Sequence, residues 1–128
     1  MLRKDGRLAS QYAKKYYKDI KQEDLCDCNY CKNYYLQVKD AYPKVAEFLD
    51  SIGIDIEKPF ETSPLEPDGH GMLEYCICQY IVIGSAPSEL SKEIENVKID
   101  ISESHPSTDL IQEHFVIDIY PICLKWIL

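Results

Sequence analysis

Three cysteines fall within six residues, Cys26-Asp27-Cys28-Asn29-Tyr30-Cys31, and that spacing has a ready chemical use. Thiolates are the ligands that a soft or borderline metal ion such as zinc selects. In extended backbone, residues two apart point to one side, and in a helix or tight turn residues three apart do so. A strand-to-helix corner at residues 27–29 therefore turns Cys26, Cys28 and Cys31 toward one point. Asp27 and Asn29 are both good N-cap residues for the helical pattern that follows. Cys31 then lies in a first turn, where unpaired amides and the helix dipole favour a thiolate.

Three sulfurs leave a tetrahedral zinc site one ligand short. His70, in the turn Asp68-Gly69-His70-Gly71, is the first candidate for the fourth, ahead of Cys76, Cys78, Cys123, His105 and His114. The competing reading makes all six cysteines reduced structural thiols, since Cys76-Ile77-Cys78 sits in an apolar run where cysteine packs as a small hydrophobe. Thiol redox chemistry is a second use of the cluster, because Cys28 and Cys31 have the two-residue spacing and helix-start placement that depress a thiol pKa. Against it, thioredoxin-like folds deliver that motif from a buried apolar strand, and residues 22–25 are too polar to be one. Cys31, His70 and Asp68 would serve as nucleophile, base and orienter in residue inventory alone. No glycine-rich phosphate loop, nucleophile elbow or metalloprotease helix motif occurs.

The elements that must position these residues follow from periodicity. Leu8, Tyr12, Tyr16 and Ile20 recur every four residues with Ala13 and Tyr17 beside them, an amphipathic helix pattern, although tyrosines also favour strands. From Cys31, residues Tyr34, Tyr35, Val38, Ala41 and Tyr42 keep helical spacing up to Pro43, which ends that helix and suits the first position of another. Val45, Phe48, Leu49 and Ile52 form the second helix's apolar stripe, and Gly53 is placed to stop it. Pro59, Pro64 and Pro67 predict an irregular loop. Beyond it, residues 74–83 predict a strand covered on both faces, with Tyr75, Ile77, Ile81 and Ile83 on one side. Residues 84–96 predict a connection with a short helix near Ser88, 97–101 a strand with one wet face, and 115–120 a strongly apolar strand. Pro121 pushes the end of that strand toward an edge or a bulge, and the apolar Cys123, Leu124, Trp126, Ile127 and Leu128 should pack on the core or on a second chain.

The expected architecture is therefore α+β, with two or three N-terminal helices packed on a mostly antiparallel sheet of three or more strands. Residues 1–128 read as one domain: a basic amphipathic segment (1–24), the cysteine cluster and helices (25–53), a proline-rich loop (54–73) and a sheet (74–128). At 128 residues the core needs no staple.

Net charge is −8, which repels phosphate backbones and argues against nucleic-acid or anionic-membrane binding. Residues 1–21 nonetheless hold seven Lys/Arg against two Asp/Glu, a basic opening expected to lie on the acidic remainder, within the molecule or on a partner copy. That opening lacks the apolar run of a signal peptide or anchor, and no stretch has the length of a spanning helix. A cytoplasmic location, where thiols stay reduced, is the expectation.

The combination of Cys-x-Cys-x-x-Cys-x-Asn-Tyr at 26–34, Glu57-Lys-Pro-Phe-Glu61 and the strand from Tyr75 to Gly84 resembles small uncharacterised proteins of anaerobic Gram-positive bacteria, over about residues 12–84. The resemblance brings no activity and no functional residues with it. The leading expectation from the sequence is a binding or assembly domain without catalysis, self-associating or meeting a protein partner through its ten tyrosines and apolar end. Its rivals are a zinc protein using Cys26, Cys28 and Cys31, and a thiol redox protein using Cys28 and Cys31.

Overall fold

Proline and glycine divide the helical half of the chain where expected. The computed structural model describes residues 2–128, with side chains from Gln11 onward. Helices α1 (Leu2–Asp19), α2 (Asn29–Ala41) and α3 (Pro43–Ser51) precede every strand. Pro43 has no N–H with which to continue α2, and its fixed φ suits the first position of α3. Gly53 follows at φ 85°, where the N–H groups of Gly53 and Ile54 reach the carbonyls of Asp50 and Leu49. Glycine takes that left-handed turn at least cost.

Of residues 8–20, open between helix and strand in sequence, 8–19 belong to α1 and Ile20 follows its end. Its inward face is rotated from the expected row: Ala13 and Tyr17 are buried, Tyr16 and Ile20 half-buried, and Tyr12 is 60% exposed. The Leu8 side chain lies outside the described residues. No lysine of α1 pairs with the acidic remainder among the described residues, where the ion pair is Lys15 with Asp19 of the same helix. Lys58 reaches back instead, donating to the carbonyls of Tyr17 and Ile20 and so closing the C-terminus of α1.

Six strands form an antiparallel sheet: β1 (Glu61–Pro64), β2 (Met72–Ile83), β3 (Ser91–Ile94), β4 (Val97–Ile101), β5 (His114–Tyr120) and β6 (Ile122–Lys125). The order is β1-β2-β5-β4-β3, and β6 continues beside the first half of β2 after the Tyr120-Pro121 cis peptide. The fold is α+β with the helices N-terminal to the sheet. Tyr34, Val38, Val45 and Leu49 of α2 and α3 pack with Cys78, Tyr80, Ile99, Ile117 and Ile119. Ala13 of α1 packs with Ile81, Ile83 and Val116, alternate residues of the same strands and hence the opposite face. No described helix is long and apolar enough to cross a membrane.

Three local expectations are corrected. The proline-rich stretch contains β1, because a strand at the sheet's edge leaves one side unpaired and tolerates the missing N–H of Pro64. The short helix expected near Ser88 is absent, and β3 pairs β4 through a hairpin whose turn residues, Glu95 and Asn96, have φ of 54° and 66°. That turn lacks the glycine that usually marks it. Finally, β2 is bulged: Thr62 faces Cys78 and Pro64 faces Tyr75, so Ser63 opposes both Cys76 and Ile77. The extra residue resets the alternation, leaving Ile77 37% exposed while Tyr75, Cys78 and Tyr80 are all buried.

Candidate metal centre

The approach to the cysteines is extended. A short 3-10 turn at Gln22–Asp24 leads into Leu25, at φ −92° and ψ 157°. Cys28 is still extended at φ −69° and ψ 160°, and α2 begins with Asn29. The corner is thus the one its spacing predicts, with one change of role. The N-cap is Cys28 itself, neither Asp27 nor Asn29: its sulfur accepts the N–H of Cys31 at 3.4 Å, a bond the side chains of Ser or Asp usually provide. The sulfurs of Cys26, Cys28 and Cys31 all lie within 4.8 Å of one another.

Residues distant in sequence hold this corner. Tyr35, one turn further along α2, donates to the Cys26 carbonyl at 3.0 Å. Tyr75 of β2 donates to the Tyr30 carbonyl at 2.5 Å. The Tyr30 ring lies 5.3 Å from that of Trp126, and its hydroxyl donates to Glu66 at 3.0 Å. Behind the corner, Cys31 Sγ is 3.7 Å from Thr62 Oγ1 on β1. Asn33 is fully buried two residues on: its amide donates to the Lys125 carbonyl at 2.9 Å and its oxygen accepts the N–H of Ile127 at 2.9 Å. The chain end is thereby docked beside the helix that carries Cys31.

The sulfurs differ in environment. Cys26 and Cys28 are exposed, whereas Cys31 is buried. Burial pushes the Cys28 thiol up, but the Cys31 N–H, the Cys26 and Cys31 thiols and the Tyr30 N–H outweigh it and leave the group below its ordinary value. Burial pushes Cys31 up to about 12, with the Thr62 hydroxyl opposing and the neighbouring sulfurs reinforcing. Metal coordination removes the proton in either case, since only thiolates ligate.

His70 is not part of the three-sulfur group. It is exposed in the turn before β2, where its main-chain N–H donates to Asp68 Oδ1 at 2.7 Å. Asp68 also accepts the Met72 N–H at 2.9 Å, so its carboxylate holds a turn rather than orienting an imidazole. The other candidates lie apart from the cluster as well. Cys78 is fully buried, Cys76 half-buried, and Cys123 is exposed on β6. Nδ1 of His105 pairs with the Pro106 carbonyl at 2.8 Å. Both ring nitrogens of His114 are engaged: Nδ1 with the Gln112 carbonyl at 2.8 Å, and Nε2 with the Thr108 hydroxyl at 2.6 Å. A carbonyl only accepts, so Nδ1 carries a proton, and in the neutral ring Thr108 donates to Nε2.

Sequence reasoning missed the residues that position the cluster. Asn33 carried a readable signal, since it shares a helix face with Tyr30 and Tyr34, and a polar group on an apolar stripe requires partners. Tyr75 and Thr62 carried none, because their roles depend on where β2 and β1 pass, and Tyr35 meets the Cys26 carbonyl within its own segment. Comparison of the chain with protein-family models, with curated proteins and with solved structures finds no match.

Proposed function

We propose that this protein is a zinc-binding domain of the cytoplasm, holding the ion through the thiolates of Cys26, Cys28 and Cys31. The observation that carries the reading is the convergence of three sulfurs within 4.8 Å on a pinned backbone. A tetrahedral zinc site with bonds of about 2.3 Å has sulfur–sulfur edges of roughly 3.8 Å, so side-chain rotation alone closes the set. The donor chemistry fits, since all three groups are thiols free of disulfides and thiolates match a borderline ion. Among the described residues no fourth protein ligand joins the cluster. The remaining position is open to water, an exogenous ligand or a residue from another molecule, and His70 in its exposed turn stays a candidate for it. Zinc titration of reduced, metal-free protein, followed by competition with a chromophoric chelator, tests the reading. One tightly held ion per chain is the expected result, and binding no stronger than to a variant lacking the three cysteines overturns it.

A second reading, self-association, is favoured by the chain end. Ile122 and Leu124 are buried, yet Ile127 and Leu128 beyond them are 53% and 47% exposed. Sedimentation at micromolar concentration tests it, and a clean monomer rejects it.

A further inference from the structure

We propose that Cys28 and Cys31 also form a dithiol–disulfide couple, oxidised by low-molecular-weight disulfides, whose closure releases the metal ion. Three observations carry this. The two residues are the N-cap and the third residue of α2, one turn apart, and the Cys31 N–H already points at Cys28 Sγ from 3.4 Å. Their sulfurs lie within 4.8 Å, a gap that rotation of an exposed Cys28 side chain closes toward the roughly 2.05 Å of a disulfide. Exposure divides the roles: Cys28 faces solvent, while Cys31 is 9% exposed and backed by Thr62.

A small disulfide RSSR therefore meets Cys28 before Cys31. The Cys28 thiolate, its proton given to solvent, attacks one sulfur of RSSR, forming a mixed disulfide and expelling RS−, which takes up a proton. The Cys31 sulfur then gives up its proton, attacks Cys28 Sγ and expels the second RS−. Two protein thiols are oxidised, one disulfide is reduced to two RSH, and no other reactant is needed. Cys26 takes no part in this bond. Its backbone is held by Tyr35, and it remains a single sulfur ligand unable to keep the ion. Metal-bound dithiol and disulfide are thus exclusive states of one corner. The release step rests on the zinc reading, whereas the couple itself does not.

The test exposes zinc-free and zinc-loaded full-length protein to oxidised glutathione, with free thiols counted, peptides mapped by mass and freed zinc read by an indicator dye. The expected result is loss of two of the six thiols, mapped to a Cys28–Cys31 bond, reversed by dithiothreitol and matched in the loaded protein by one zinc freed per bond formed. Cys26→Ser should keep the bond while losing at least about tenfold in zinc affinity. Unchanged thiols, a persistent glutathione adduct on Cys28 or a bond to Cys26 overturns the couple, whatever the metal does. A bond formed with zinc retained overturns the release. Zinc that never binds, with the bond still formed, overturns the zinc reading and the release but upholds the couple.

Discussion

The main-chain N–H of Cys31 is satisfied by the sulfur of Cys28, 3.4 Å away, so one side chain both starts α2 and belongs to the three-sulfur group. Serine performs the capping task with oxygen but is a far poorer zinc ligand. Cys28→Ser should therefore leave stability within about 0.5 kcal/mol of the parent while weakening zinc binding at least about tenfold, whereas Cys28→Ala should also lose about 1 kcal/mol of the metal-free fold. Denaturant unfolding and zinc competition on both variants check this. Equal zinc affinity in parent and serine variant contradicts it.

Tyr35 reaches the Cys26 carbonyl through its hydroxyl at 3.0 Å. Tyr35→Phe keeps the ring and removes that bond. Zinc affinity should fall about 10-fold or more, as for other groups that orient ligands, with a stability loss of about 1 kcal/mol. A variant with parental affinity shows that Cys26 is positioned by other means.

Asn33 ties α2 to the chain end through Lys125 and Ile127. Asn33→Ala removes both bonds and leaves the Ile127 N–H without this partner, while the Lys125 carbonyl keeps the Gln37 amide at 2.7 Å, at a cost of about 1–2 kcal/mol. The single tryptophan, Trp126, rests against Tyr30, and its emission should move to the red as the end loosens. Parental stability with unmoved emission contradicts the role.

Much of this fold was legible because local rules and tertiary packing agree over long stretches. Pro43 and Gly53 punctuate α2 and α3, and alternation marks β4. Prediction failed where tertiary position overrode local preference: β1 forms despite its proline because it lies at an edge, and the bulge in β2 moves Ile77 outward. The convergence of three cysteines was readable from the periods of strand and helix alone. What holds them was not, since Tyr75 and Thr62 reach the corner only through the pairing of β1 and β2.

Alkali should weaken the fold. Burial holds the hydroxyls of Tyr34 and Tyr80 well above the ordinary tyrosine value and pushes Tyr75 and Cys78 up to about 12. A folded value raised above the unfolded one means that the unfolded chain gives up its protons first. The stabilisation is complete below about pH 9 and is lost as pH rises from there through the folded values. Urea midpoints measured from about pH 8 to about pH 11 should fall steadily. A flat profile, or all ten tyrosines ionising together near pH 10 in folded protein, contradicts it.

Metal content measured directly bears hardest on the role of Cys26, Cys28 and Cys31. Elemental analysis of protein purified under reducing conditions without a metal-affinity tag should find close to one zinc per chain, lost in the variant lacking all three cysteines. A chain that carries only trace zinc, and whose melting temperature does not rise when zinc is added to reduced protein, would leave the three sulfurs as neighbours with no ion to hold.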